Sequence, residues 1–219
     1  MMKETIKILY QDATLAVAVK PAGILSQPDR TGEDSMISLL GAQLGKEVFP
    51  IHRLDRAVGG VMVFAMTKAM AGKLSGMVGT DSFEKEYMAV IHGAPTEEKG
   101  EFSDYLYHDS RKNFTSVVPK TQKDAKEARL AYTLLGKDME KEFSLVRVRL
   151  YTGRTHQIRV QFSSREMPIA GDGKYGARDR MGLALWSYRL SFRHPIKKKA
   201  MSFTALPDDK IAPWDRFSF

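Results

Sequence analysis

Two short segments of this 219-residue chain concentrate side chains able to do chemistry. The first, Ile51-His52-Arg53-Leu54-Asp55-Arg56, sets one carboxylate between two arginines and runs through Gly59-Gly60 into an apolar stretch. Glycines there permit positive φ or a close backbone approach. The second, Tyr151-Thr152-Gly153-Arg154-Thr155-His156-Gln157-Ile158-Arg159-Val160, presents Arg154, His156, Gln157 and Arg159 around one turn. Read singly, Asp55 is most simply a surface ion pair, and the second segment the solvated start of a helix. Thiol chemistry is excluded, because the chain has no cysteine. The five histidines are scattered and form no close pair, and His52 with Asp55 finds no third ligand, so no metal site is expected. Gly171-Asp172-Gly173-Lys174-Tyr175-Gly176 satisfies G-x-G-x-x-G, but Met167-Pro168 precedes it and no βαβ context surrounds it. It reads as a turn supporting a site wall.

The elements that must position these segments are visible as strands and short helices. Strand signals fall at Ile6 to Tyr10 and Thr14 to Val19, the second apolar on both faces and therefore central. Lys20-Pro21-Ala22-Gly23 breaks it. A short helix is expected near Ser35 to Leu44, capped by Asp34 or Ser35. Val61 to Met66 reads as a buried strand, and Thr67 as the cap of a helix whose Met70, Leu74 and Met77 share a core-facing side. Glu84 to His92 is the next strand, with Thr96 to Gly100 as a surface loop after it. Further strands are expected at Ala131 to Leu135, Phe143 to Tyr151, Leu185 to Phe192 and Met201 to Thr204. Thr155 is placed to cap a helix that starts beside it. Strands and helices mix without βαβ alternation, which predicts an α+β fold: a mixed, mainly antiparallel sheet flanked by helices. No repeat or linker divides the chain, so residues 1–219 are expected to form a single domain.

The net charge of +8 favours a polyanionic partner, since neutralising phosphates releases condensed counterions. No apolar run approaches the roughly 18 residues of a membrane span, and the N-terminus lacks a secretory pattern. A cytoplasmic protein with no membrane association is expected. No obligate protein partner is evident. Lys197-Lys198-Lys199 reads as a solvated hairpin turn, and Arg147 and Arg149 are open between phosphate and solvent.

Together the two segments resemble the RluA-type pseudouridine synthase family. The resemblance extends over nearly the whole chain and in family order. Tyr10-Gln11-Asp12 through Lys20-Pro21-Ala22-Gly23-Ile24 is similar to the family's first strand pair and K-P-A-G loop. Lys85-Glu86-Tyr87-Met88-Ala89-Val90 is similar to its K-x-Y-x-A-x-V strand. Pro168-Ile169, Gly171-Asp172 and Tyr175-Gly176 follow its P-I-x-G-D-x-x-Y-G segment, and Leu190 to Pro195 its terminal hairpin.

The resemblance implies the pseudouridine synthase fold and an isomerase of uridine in ribosomal or transfer RNA that needs no cofactor. It implies that Asp55 is the nucleophile, that Tyr87 lies beside the extracted uracil, and that Arg159 pairs with Asp55. Arg53 would fill the vacancy left by the flipped base, with His52, Arg154, His156 and Gln157 as further RNA-binding positions. A cation beside Asp55 makes physical sense, because burial alone would raise a carboxylate above about 3.9. Whether Asp55 attacks C1′ or takes a C2′ proton stays open. Three positions depart from the pattern: Arg56-Ala57-Val58-Gly59-Gly60 replaces a Thr-Ser-Gly-like turn, and Gln161 and Trp186 stand where histidine is usual. An N-terminal extension large enough for the S4 RNA-binding domain of many relatives is not expected. The alternatives are a non-catalytic RNA-binding protein that retains the fold and, behind it, a glycosidase-like hydrolase using Asp172 as second carboxylate.

Overall fold

The structure, a computed structural model, describes residues 5–138, 140 and 142–219. The chain begins with β1 (Lys7–Gln11), β2 (Leu15–Lys20), α1 (Met36–Leu44), β3 (Phe49–Pro50), β4 (Gly59–Ala65) and α2 (Lys68–Ser75). It continues with β5 (Phe83–His92), β6 (Lys99–Asp109), β7 (Phe114–Val118), β8 (Lys126–Asp138) and β9 (Phe143–Leu150). The last elements are α3 (Gln157–Ser163), β10 (Leu185–Arg193) and β11 (Ala200–Thr204). One-turn 3-10 helices occupy Gly173–Tyr175 and Trp214–Arg216. This mixed sheet with three helices is the α+β fold expected.

Two compact units make up the chain, and each is discontinuous. One comprises residues 1–85 with Trp186–Pro207, the other Glu86–Leu185 with Asp208–Phe219. In the first, β2 pairs antiparallel with β1 on one edge and β4 on the other, as its two apolar faces require. Strand β10 runs parallel to β4 through Trp186 and Ser187, and β11 closes a hairpin on β10. The core gathers Leu15 and Val17, Val61 and Val63, Met70 and Leu74, Phe83, and Leu190 and Phe192. The methionine and leucine of α2 thus face that core, and Thr67 Oγ1 accepts from Met70 N, as a capping threonine should. Ser35 caps α1 with a full capping box through Ser38.

In the second unit the order is β5-β9-β8-β6-β7. Strand β8 extends well beyond the expected residues 131–135. The loop expected at 96–100 holds for 96–98, β6 begins at Lys99, and the long β6–β7 hairpin fills chain the sequence leaves unassigned. Its inward residues are sparse: Phe102 and Leu106 are the buried apolar side chains of β6, four apart, so no two-residue alternation shows. Helix α3 is fastened beneath this hairpin by Phe162, which meets Phe102 edge to face at 5.1 Å between centroids. Gln161 Nε2, fully buried, donates to Asp104 Oδ2 and the Ala128 carbonyl. The departure from histidine at this position therefore serves a link between α3, β6 and β8.

The two glycines at the start of β4 are dictated by β10. A Cβ on Gly59 would sit 2.3 Å from the Trp186 ring, and one on Gly60, at φ +121°, 2.2 Å from the Ser187 carbonyl oxygen. The ring of Trp186 thus lies where only glycine leaves room, its Nε1 donating to the Ala205 carbonyl. Gly60→Ala is accordingly expected to destabilise the protein by at least about 2 kcal/mol, read as a lowered urea midpoint. An unchanged midpoint would mean that β4 and β10 can separate without cost.

Candidate active site

In the first unit everything converges on the loop that carries Asp55. Lys20 closes β2 and is wholly buried, yet its Nζ donates to three carbonyls: Pro21 at 2.9 Å, Ile24 at 2.5 Å and Arg56 at 3.0 Å. Gly23 N also donates to the Arg56 carbonyl, and Arg56 Nε returns a bond to the Gly23 carbonyl. Ser26 Oγ donates to the Leu54 carbonyl at 2.7 Å and accepts from Leu54 N at 3.0 Å. Val58 N then closes a turn onto the Asp55 carbonyl. Asp55 is therefore the middle of a segment whose backbone is stapled on both sides. Its carboxylate also acts on Lys20 electrostatically: burial pushes the lysine down to about 8, the Asp55 charge opposes that fall, and Arg56 adds to it.

His52 and Arg53 leave this loop in different environments. Arg53 is exposed. The His52 ring is half-buried, edge-on to Phe83 at 6.0 Å, with Nε2 accepting from Val63 N. Arg56 pairs with Glu33 at the surface. Elsewhere in this unit Lys197 bonds Asp12 and the Tyr10 hydroxyl, and buried His194 donates to the same Asp12 carboxylate. Burial opposes it, but the bonds from Lys197, Thr14 and the Tyr10 hydroxyl hold Asp12 far below the usual carboxylate range. The first lysine of the triple-lysine turn is thus a structural staple.

The second unit holds the other candidates. Tyr87 lies buried on β5. Arg154 is exposed, with Nε on the Glu127 carbonyl. The cap of α3 differs from expectation: His156, not Thr155, takes the cap position, in the left-handed region at φ 55°. Gln157 makes this possible. Its Oε1 accepts from Arg154 N and Thr152 Oγ1 and its Nε2 donates to the Arg129 carbonyl, so the side chain satisfies the loop that would otherwise need a capping hydroxyl. Buried His156 reaches the Tyr175 hydroxyl through Nδ1 at 2.8 Å. Arg159, one turn on, grips Asp172 with two parallel bonds. The G-x-G-x-x-G turn thus supports the motif helix, as expected of a wall-forming turn.

A carboxylate on a rigid loop, in the field of a buried lysine, can serve as a nucleophile or base. Among the described residues no group of three or more His, Asp or Glu is arranged to hold a metal. Sequence reasoning missed the Lys20 clamp, Ser26, and the Arg159–Asp172 pair. A charged residue ending the apolar run Leu15 to Val19 was the available signal for the first; the others depend on chain contacts that spacing does not show.

A family model described as RNA pseudouridylate synthase matches residues 14–164. The chain is 31% identical to the tRNA pseudouridine synthase C of Vibrio parahaemolyticus, over 93% of this chain and 91% of that protein. It is 32% identical to that of Haemophilus influenzae, over 94% of each. The fold is shared with human RNA pseudouridylate synthase domain containing 1, at a TM-score of 0.81 and 21% identity over 99% of this chain and 89% of the human one.

The His52 imidazole makes stability depend on pH. Burial, with the Lys85 charge adding to it, pushes His52 from 6.5 down to about 3. The unfolded chain therefore takes up the proton first, and stability present above about 6.5 is lost as pH falls towards about 3. Between about pH 7.5 and about pH 5, wild type should lose on the order of 1 kcal/mol more unfolding free energy than His52→Gln. Parallel losses in the two proteins would place the imidazole in solvent.

Proposed function

Because the chain belongs to the RNA pseudouridylate synthase family and is thus an RNA-modifying isomerase, we propose that it converts a uridine of transfer RNA to pseudouridine with Asp55 as nucleophile. Transfer RNA is the substrate printed in the names of the relatives that match over nine-tenths of both chains. The observation that carries the choice of Asp55 is its loop, fixed by Lys20, Gly23 and Ser26, which holds a carboxylate ready without reorganisation.

The reaction breaks the N1–C1′ bond, turns the uracil and joins C5 to C1′; the proton lost from C5 is balanced by one gained at N1. No electrons are exchanged with a second reactant and no donor group is consumed. Asp55 forms the transient bond to the nucleotide or removes the C2′ proton. Arg159 pairs with the carboxylate and orients it, and Tyr87 supplies a flat surface and a hydroxyl for handling protons. Arg53, exposed beside Asp55 in sequence, takes the place of the extracted base, where its planar guanidinium offsets part of the few kcal/mol of unstacking. Arg154 meets the RNA backbone, with His52, His156 and Gln157 shaping the surfaces behind these arginines. The chain acts as one catalytic domain over residues 1–219, in the cytoplasm where transfer RNA is made and used.

The test is release of tritium from [5-³H]uridine-labelled transfer RNA made in cells lacking this gene. Wild type should release it. Asp55→Asn should release at least ~1000-fold less while binding the RNA with unchanged affinity. No release by wild-type protein that binds RNA would instead favour a binding module retaining the fold. Arg53→Ala should slow turnover on folded RNA more than on a short unstructured strand. Equal slowing on both would remove its role in base extraction.

A further inference from the structure

Strands β6, β8 and β9 have two unlike faces. Towards α3 they turn a closed apolar side, where Phe102 and Tyr132 meet Phe162, and Val146 and Val148 are wholly buried. The alternate residues form the opposite face. On it the register places Arg147 beside Thr133 and Lys99, and Arg149 beside Ala131 and Glu101. Arg129 follows beside Ser103, and Tyr151 N, donating to the Arg129 carbonyl, brings the tyrosine into the same row. Tyr105 lies one row on, between Glu127 and Val118.

The rings on this face carry cations instead of filling a core. Arg129 and Arg149 lie over Tyr151, with 5.4 and 5.7 Å between guanidinium carbon and ring centroid. Lys120 lies over Tyr105 at 5.6 Å. A guanidinium resting one face on a ring keeps its planar edge for hydrogen bonds to an anion. The carboxylates nearby do not balance this charge. Glu101 comes only within 3.9 Å of Arg129, and both side chains are about half exposed, a contact worth little in water. Among the described residues Lys99, Lys120 and Arg147 form no ion pair. Glu127 is the other carboxylate of the face and is exposed.

This face shares its backbone with the motif loop. Arg129 N donates to Thr152 Oγ1, and the Arg129 carbonyl accepts from Gln157 Nε2. Exposed Arg154 holds the Glu127 carbonyl through Nε, two residues from Arg129. An RNA strand that meets Arg154 is therefore within reach of the Arg129–Tyr151 row.

We propose that this face of β6, β8 and β9 is a docking platform for the phosphate backbone of the substrate RNA, leading on from Arg154. This rests on the reading of the chain as an isomerase of transfer RNA and adds a surface beyond the side chains that act on the uridine. Lys120, Arg129 and Arg147 answer phosphates, and the ring-backed guanidinium planes suit unstacked bases. From Lys99 to Tyr105 the platform runs about 20 Å along β6, at about 3.4 Å per residue. An acidic protein would call for the cations alone; tyrosines set beneath them are the mixture that nucleotides, with charge and π-faces together, require.

The experiment measures the affinity of the full chain for transfer RNA across a salt series, with melting temperature and single-turnover tritium release at saturating RNA. Lys120→Gln, Arg129→Gln and Arg147→Gln are combined in one variant. It should bind about 10- to 100-fold more weakly at low salt. Its plot of log affinity against log salt should be shallower by about 2 to 3, the share of three phosphate contacts. Its rate at saturating RNA should stay within about twofold of wild type, because no group assigned to the reacting nucleotide is changed. A control carrying Lys46→Gln, Lys68→Gln and Lys73→Gln removes the same charge from exposed positions of the first unit and should bind within about twofold of wild type. Unchanged affinity and slope in the platform variant would overturn the proposal. An equal loss in the control would also overturn it, by reducing the effect to net charge, as would a lowered saturating rate with affinity intact. Wild type that binds transfer RNA but releases no tritium would sink the isomerase reading alone, and the binding comparison would decide the platform by itself.

Discussion

Taking an ammonium group out of water costs several kcal/mol unless each of its protons is answered, and Lys20 is wholly out of water. Three protons need three acceptors, and the chain supplies three carbonyls from two separate stretches, Pro21 and Ile24 nearby and Arg56 from 36 residues away. Charge-assisted bonds of this kind are each worth about 1.5–3 kcal/mol, enough to offset the desolvation only if all three are made together. That requirement leaves the Lys20–Ile24 corner and the Leu54–Arg56 loop no independent freedom. Ser26 and Gly23 complete the same seam from the outside. The backbone that carries Asp55 is thus placed by main-chain geometry.

The second unit solves a similar problem with a full countercharge. Arg159 is nearly buried, and a carboxylate and an aromatic ring from one turn receive it. In both units a buried cation ties separate stretches of chain together. The neighbours are tightly built polar seams, not loosely solvated loops. This is how a protein with little helix in its sheet-rich architecture can hold loops still enough for chemistry.

The sequence exposes those parts whose physics is local. The continuous apolar runs Thr14 to Val19 and Val61 to Met66 become β2 and β4, shifted by one or two residues, and Thr67 and Ser35 cap the helices they precede. Gly59-Gly60 signals a close approach that Trp186 and Ser187 supply. The hairpin of β6 and β7 is invisible because its polar outward residues are more numerous than its buried ones. The cap of α3 is misplaced because a glutamine two residues beyond Thr155, not a hydroxyl, satisfies the loop. The family motifs name Asp55 and Arg159, yet nothing in their spacing foretells that Asp172 and Tyr175 receive the arginine. Such partners are chosen by the path of the chain, 13 residues apart for the ion pair and 60 for Tyr175 with Thr115.

That path also sets an order of assembly during synthesis. Strand β4 finds β2, and at Phe64 and Ala65 β3, soon after it is made, but its Gly59–Gly60 end waits for Trp186 and Ser187, and the Ser187 hydroxyl that bonds the Val61 carbonyl comes 126 residues later. At about 5–20 residues per second, the ribosome leaves the start of that apolar strand open on one edge for on the order of 10 s. An unpaired apolar edge is a template for misassembly. The first unit is therefore complete only after residue 207 has been added, once the intervening unit has been translated.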